Sequence, residues 1–128
     1  MGLYNFQKRF VPFIESGEKT HTIRATRKNI DKPGNTVHLY TGLRQKGARL
    51  LMRAECTKVE EIHIEGGWEA YSGDFFGDVK IDGSSLMEDE LQQLARRDGF
   101  ESFADMMEFW RGRLPFDGHI IHWKEKKL

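Results

Sequence analysis

Residues 17–24 read Gly-Glu-Lys-Thr-His-Thr-Ile-Arg, and in this stretch a helix gives way to a polar strand. The segment places an ammonium, two threonine hydroxyls and a guanidinium within six residues. Functional sites are commonly built at such junctions, where rigid elements hold the side chains. A plain amphipathic strand with a solvated polar face would have the same composition. The segment alone leaves both interpretations open.

An apolar stripe with helical spacing precedes this segment, formed by Phe6, Phe10, Phe13 and Ile14. It predicts a short helix that ends near Ser16, with Gly17 as a left-handed cap. Pro12 must then lie in the first turn, where its missing N–H does no harm.

The residues that follow alternate as in a β-strand over 19–25. The two faces would carry Thr20, Thr22 and Arg24 on one side and Lys19, His21 and Ile23 on the other. Lys19 and Thr22 are three residues apart, so regular pleating would separate them. They converge only if Lys19 lies in the turn after Gly17.

Downstream patterns predict further strands and two helices. We expect a polar loop over 27–35, strands over 36–40 and 50–62, a loop or irregular hairpin over 68–77, and strands over 78–81 and 118–124. The helices are marked by capping pairs: Ser85 with Glu88 for a helix to about Arg97, and Ser102 with Asp105 for a helix ending before Pro115. The fold class is α+β, a mixed sheet or small barrel with helices packed outside.

The 128 residues fit one domain spanning 1–128. The formal charge is zero, but residues 1–58 hold 12 basic and 4 acidic side chains, against 8 and 16 in the remainder. This balance argues against nonspecific coating of nucleic acid or anionic membranes. The halves either form opposed walls of a cleft or neutralise each other across the fold.

One cysteine, Cys56, excludes an intrachain disulfide and fits a reducing compartment. No secretory signal and no apolar stretch of about 18 residues is visible, so a soluble cytoplasmic protein without membrane contact is predicted. Phosphate-binding, dinucleotide-binding and HExxH motifs are absent. His119 and His122 would face opposite sides of a strand, so we expect no metal and no cofactor.

The segment Gly17-Glu18-Lys19-Thr20-His21-Thr22-Ile23-Arg24 resembles the G-x-K-x-x-T-x-R signature of ASCH domains. Supporting similarities lie in the Phe-rich region before it, in 31–39, in 94–100 and in 116–123, so the resemblance covers nearly the whole chain. ASCH domains have a PUA-like β-barrel fold, which this resemblance implies here together with peripheral helices.

Small bacterial ASCH proteins include amidohydrolases that remove the acyl group from N4-acetylcytidine with a Lys, a Thr and a carboxylate. The resemblance assigns these roles to Lys19, Thr22 and Asp98. The family carboxylate is Glu, whereas Asp98 is one methylene shorter. Thr22 could be acylated or could position a water, and Lys19 acts as a base only if its pKa falls well below about 10.4.

Further side chains are candidates for binding a pyrimidine nucleoside, as stacking rings or as partners of carbonyl and phosphate oxygens. They are Arg24, Thr20, Tyr40, Arg44, Phe76 and Trp123, with Trp68 as another stacking candidate. The predicted function is a monomeric amidohydrolase acting on N4-acylated cytosine nucleosides. The alternative is a PUA-like module that binds or cleaves RNA without amidase turnover.

Overall fold

The computed structural model describes residues 2–126, which form one curled sheet with three short helices. The strands are β1 (Gly2–Phe6), β2 (His21–Ala25), β3 (Thr36–Thr41), β4 (Arg49–Trp68), β5 (Phe75–Ile81), β6 (Ser84–Ser85) and β7 (Phe116–Glu125). The helices are α1 (Val11–Ser16), α2 (Glu88–Arg97) and α3 (Phe103–Trp110), with a 3-10 turn at Lys8–Phe10. The expected α+β class is confirmed, and the sheet forms a half-barrel.

The long strand β4 organises the sheet. Its first part pairs with β3, its second part pairs with β5, and β7 pairs antiparallel with its middle from Ala54 to Ile64. A bulge between Cys56 and Lys58 interrupts the β4–β7 register, and such a bulge bends a long strand locally. β7 also pairs with β2, so the strand that carries the signature is joined to the sheet through β7.

The amino-terminal segment differs from its prediction. Phe6 belongs to β1, which pairs in parallel with β3, and Tyr4 and Phe6 alternate with exposed Leu3 and Asn5. The helical stripe therefore begins only at Phe10, because the sheet takes up the preceding residues. Pro12 lies in the first turn of α1 and Gly17 ends it at φ 84°, both as predicted.

The predicted Ser85–Glu88 capping box is wrong. Ser85 lies in β6 and donates from its hydroxyl to Asp78 Oδ2 at 2.8 Å. The helix begins at Glu88 instead, and the Glu90 carboxylate accepts from the backbone N–H of Met87 at 2.9 Å. The second predicted cap is confirmed, because Ser102 Oγ accepts from the Asp105 N–H at 3.1 Å at the start of α3.

Residues 68–77, predicted as a loop or irregular hairpin, form a β-hairpin between β4 and β5. Trp68 pairs with Phe75, and their rings meet edge to face at 5.4 Å. Phe75 also packs edge to face on Phe103 of α3 at 5.6 Å. These aromatic contacts extend both strands well beyond the predicted 50–62 and 78–81.

One hydrophobic core joins the sheet to α1, α2 and α3. It includes Tyr4, Ile14, Leu39, Ile64, Met106, Met107, Ile120 and Ile121, all fully buried. In residues 2–126 no helix is long and apolar enough to cross a membrane.

Candidate active site

The signature strand opens onto a cavity of about 450 Å³, here called the Lys19 cavity. Its polar lining comprises Lys19, Thr22, Arg24, Asp98 and Arg113, with Asn5 and Gln7 beside them. Its aromatic lining comprises Phe6, Phe10, Phe100, Phe109, Trp110 and Phe116. The three residues predicted to be catalytic therefore lie in one cavity.

The turn after α1 brings Lys19 and Thr22 together. Gly17 takes the left-handed conformation, and the Lys19 N–H then donates to Phe13 O at 2.9 Å. Strand pairing begins only at His21, so Lys19 lies before regular pleating. Lys19 and Thr22 consequently line the same cavity, although a regular strand would place residues three apart on opposite faces.

Lys19 forms a buried ion pair with Asp98. Lys19 Nζ donates to Asp98 Oδ1 and to Asp98 O, each at 2.7 Å, and the lysine is 3% exposed. Burial lowers the pKa of Lys19, and nearby Arg24 lowers it further, against the opposing effect of Asp98. Burial raises the pKa of Asp98, but Lys19 and His21 outweigh it and hold that pKa below its usual value.

Besides its bond to carbon, the tetrahedral Lys19 nitrogen has three positions, each of which can hold an N–H bond. Two of these positions point at the acceptors Asp98 Oδ1 and Asp98 O. The surroundings of the amine are otherwise aromatic: Nζ lies 5.0 Å from the centre of the Phe10 ring and 5.9 Å from that of Phe6. The third position holds a proton in the ammonium and the lone pair in the neutral amine. An amine in this environment can accept a proton once it is neutral.

Asp98 reaches Lys19 because α2 ends there. Its backbone N–H donates to Leu94 O at 3.0 Å, and Gly99 follows at φ 98°. A Cβ on Gly99 would lie 2.9 Å from Phe10 Cδ1, so only glycine fits between the helix end and the cavity wall. The Lys19 ammonium also compensates the negative end of the α2 dipole through Asp98 O.

Thr22 is held by Arg24, two residues along the same face of β2. Arg24 Nε donates to Thr22 Oγ1 at 2.9 Å, and Arg24 Nη2 donates to Asn5 O at 2.7 Å. Burial lowers the pKa of Arg24 to about 10, and Arg27 contributes to this shift. Because the threonine oxygen accepts this bond, its own hydrogen remains available for a ligand in the cavity.

His21 is a site residue that the sequence prediction missed. Its Nε2 lies 3.3 Å from Asp98 Oδ1, and the side chain is fully buried. Within the described residues Nε2 makes no hydrogen bond of good geometry, and Asp98 supplies the one carboxylate that lies within 4.0 Å of it. The only sequence signal was its place inside the signature, next to Thr22.

The other predicted binding residues do not line the Lys19 cavity. Trp123 faces the core from β7 and packs edge to face on Phe6 at 5.9 Å. Phe76 is on the β4–β5 hairpin and 56% exposed, Arg44 is in the exposed turn after β3, and Tyr40 is in β3. Thr20 is exposed and precedes β2. Of the predicted binding residues, the structure brings only Arg24 to the cavity.

The sequence analysis does not predict the aromatic wall, because its rings come from four separate segments: the 3-10 turn, the loop after α2, helix α3 and strand β7. Phe10, Phe100 and Phe109 form a mutual cluster with ring centres 5.5 to 6.1 Å apart. Trp110 and Phe116 complete the wall at 4.4 Å from each other. Phe109 and Trp110 lie on α3, but no local sequence pattern shows that this helix also borders a cavity.

Within residues 2–126 no cluster of three or more His, Cys, Asp or Glu side chains is arranged to hold a metal ion. Comparisons with protein-family models, with curated proteins and with solved structures returned no match. The assignment of function therefore rests on the geometry of the Lys19 cavity and on the signature it contains.

Proposed function

We propose that this protein is a PUA-like ASCH amidohydrolase that removes the acyl group from N4-acylated cytosine nucleosides such as N4-acetylcytidine. The observation that supports this is the convergence of Lys19, Asp98 and Thr22 in one aromatic-walled cavity. These residues come from the signature and from a position 79 residues away, and Asp98 reaches Lys19 despite being shorter than glutamate.

The shape and lining of the cavity suit a planar nucleobase. Small-molecule sites occupy roughly 300–1,000 Å³ and combine apolar walls with a few polar groups. The Phe10, Phe100 and Phe109 rings offer flat apolar surface, on which a pyrimidine can stack. The amine, the hydroxyl and the carboxylate lie at the same cavity, where they can meet an exocyclic amide.

Amide hydrolysis needs a nucleophile, a base, stabilisation of the tetrahedral oxyanion and an acid for the departing nitrogen. In the proposed reaction the neutral Lys19 amine takes the proton of the attacking hydroxyl, from Thr22 or from a water that Thr22 orients. Arg24 stabilises negative charge at the Thr22 oxygen through its 2.9 Å bond. Lys19 then returns the proton to the cytosine nitrogen as the C–N bond breaks, while Asp98 holds the ammonium in place. Attack by water releases the carboxylic acid in this step, whereas attack by Thr22 leaves an acyl ester that a water molecule then hydrolyses, with Lys19 again taking the proton from the water and returning it to the Thr22 oxygen.

Asp98→Asn is expected to lower kcat for N4-acetylcytidine by about tenfold to a hundredfold, because it weakens a charge-assisted bond to Lys19. Conversion to cytidine is followed by ultraviolet absorbance without added metal. Asp117→Asn serves as the matched control, since Asp117 is exposed, pairs with His63 and lies outside the Lys19 cavity. Equal turnover in the two variants would contradict the assignment of Asp98.

RNA binding is the rival function, and one observation favours it. Arg113 reaches the rim of the cavity with its guanidinium 4.6 Å from the Phe109 ring centre, an arrangement that suits a nucleotide. Absence of turnover in folded wild type, with low-salt retardation of RNA that Lys19→Ala and Arg24→Ala abolish, would establish this rival in place of the amidohydrolase.

The pH profile of the wild-type enzyme tests the role of Lys19 as a base. Only the neutral amine accepts a proton, so kcat/KM is expected to rise with pH as Lys19 loses its proton. Because burial lowers the pKa of Lys19, the inflection should lie below the ordinary lysine value of about 10.4. Activity that falls as pH rises through this range would contradict the role of Lys19 as a base.

A further inference from the structure

A second cavity of about 380 Å³ lies behind the Lys19–Asp98 pair. Its lining includes His21, His122, Glu60, Lys58, Glu90 and Arg97, and it shares no residue with the Lys19 cavity. His21 and Thr22 are neighbours on β2, so their side chains leave the strand on opposite faces. His21 thus separates the two cavities: its ring lines the second cavity and approaches Asp98, which lines the Lys19 cavity.

A row of contacts runs from Lys19 into this second cavity. Asp98 Oδ1 accepts from Lys19 Nζ at 2.7 Å and lies 3.3 Å from His21 Nε2. The His21 ring meets the His122 ring edge to face, with centres 5.3 Å apart. His122 Nε2 in turn lies 2.6 Å from Glu60 Oε1.

We propose that His21 is a positioning residue that directs its Nε2–H toward Asp98 Oδ1, 3.3 Å away, and thereby limits how tightly Asp98 holds the Lys19 proton. The contact itself is independent of the substrate, whereas its consequence for turnover rests on the proposed amidohydrolase function. His122 supports the orientation of His21 by packing against its ring.

The proposed effect of His21 on Lys19 depends on which donors stabilise the negative charge at Asp98 Oδ1. A buried carboxylate needs donors, and Asp98 Oδ1 has Lys19 and His21 within reach. When Lys19 and the N–H of His21 both face this oxygen, the N–H stabilises part of the carboxylate charge, so Asp98 raises the Lys19 pKa less. Without the His21 donor, the carboxylate attracts the Lys19 proton more strongly, and less neutral amine is present at a given pH.

Other charged groups around His21 come from each element packed against it. They are Lys19 before β2, Lys58 and Glu60 on β4, Glu90 and Arg97 on α2, Asp98 after α2, and His122 on β7. Burial lowers the pKa of His122 in spite of its bond to Glu60. These groups are chemically unchanged in His21 variants, so the comparison of a variant that keeps an N–H donor with one that lacks it isolates the effect of that donor on Lys19 titration.

The test is a carbon-13 NMR titration of the Lys19 side chain, which needs no substrate. His21→Leu is expected to raise the Lys19 pKa by about 1 relative to wild type. His21→Gln retains an N–H donor and should restore most of the wild-type titration. His63→Gln is the control, since His63 pairs with Asp117 and Glu65 outside both cavities. Coincident titrations in wild type and His21→Leu would overturn the proposal.

A second measurement uses wild type alone, so it does not depend on whether the variants fold. Nitrogen-15 NMR of the imidazole reports which ring nitrogen carries the proton, and the proposal requires a proton on His21 Nε2. An unprotonated Nε2 would overturn it. Absence of amidase turnover would instead count against the proposed function and would leave both NMR results standing.

Discussion

Lys19→Met is expected to lower the free energy of unfolding by about 3–5 kcal/mol, because it leaves the Asp98 carboxylate buried without its main partner. The same variant should lose roughly 10²- to 10⁴-fold in kcat, the range for removing a general base. Urea unfolding followed by circular dichroism measures the first effect, and ultraviolet turnover assays on folded protein measure the second.

The double variant Lys19→Met/Asp98→Leu separates burial of charge from loss of packing. Removing both charges should recover most of the lost stability but none of the activity. Lys58→Met is the matched control, since Lys58 is exposed and its pair with Glu60 at 3.4 Å should contribute less than about 1 kcal/mol. A loss in Lys19→Met no larger than in this control would contradict the prediction.

The pH dependence of the free energy of unfolding provides an independent test of the Lys19–Asp98 ion pair. In wild type the pKa of Asp98 lies below its unfolded value, so the stability it contributes is lost as pH falls through the folded pKa. Without Lys19, burial dominates and raises the Asp98 pKa above its unfolded value. The folded variant then binds the additional proton, and its stability deficit should shrink as pH falls.

Thr22→Val is expected to reduce kcat by about 10²- to 10⁴-fold while keeping the shape of the side chain. Valine retains the branched carbon that suits a strand but removes the hydroxyl that Arg24 binds at 2.9 Å. Thr22→Ser keeps the hydroxyl and should retain much of the activity. Steady-state kinetics with N4-acetylcytidine measure both variants.

Thr20→Val is the matched control, because Thr20 is exposed and does not line the Lys19 cavity. Turnover in Thr22→Val within a few fold of this control would refute a chemical role for Thr22. Rapid quenching followed by mass spectrometry tests the covalent route through Thr22. An acetyl group trapped on Thr22 during turnover establishes acyl transfer to the hydroxyl.

The parts of the fold that the sequence predicts correctly are those fixed by nearby residues. Gly17 ends α1 and Ser102 begins α3 through bonds that span a few positions. The prediction that Phe6 lies in a helix is wrong because its strand pairs with β3. Its partner Thr41 lies 35 positions further along the chain. Ser85 escapes prediction because Asp78 on the neighbouring strand binds the hydroxyl that a cap would use.

The candidate site divides in the same way. One short signature contains Lys19, Thr22 and Arg24. The turn after α1 brings Lys19 to the cavity that Thr22 and Arg24 line. Asp98 was reached only through the family resemblance, since no local pattern connects it with Lys19. The aromatic wall and His21 depend on how distant elements pack, so spacing along the chain carries no sign of them.

The placement of β4 at the centre of the sheet ties activity to cooperative folding. β7 pairs with β4 along most of its length and then holds β2, which carries Thr22, while Lys19 and Asp98 meet across 79 positions of chain. A fragment that ends after Asp98 contains both halves of the ion pair but lacks β7, the strand through which β2 joins the sheet. Partly folded chains would therefore lack the site altogether, and the active fraction of a sample would equal its folded fraction.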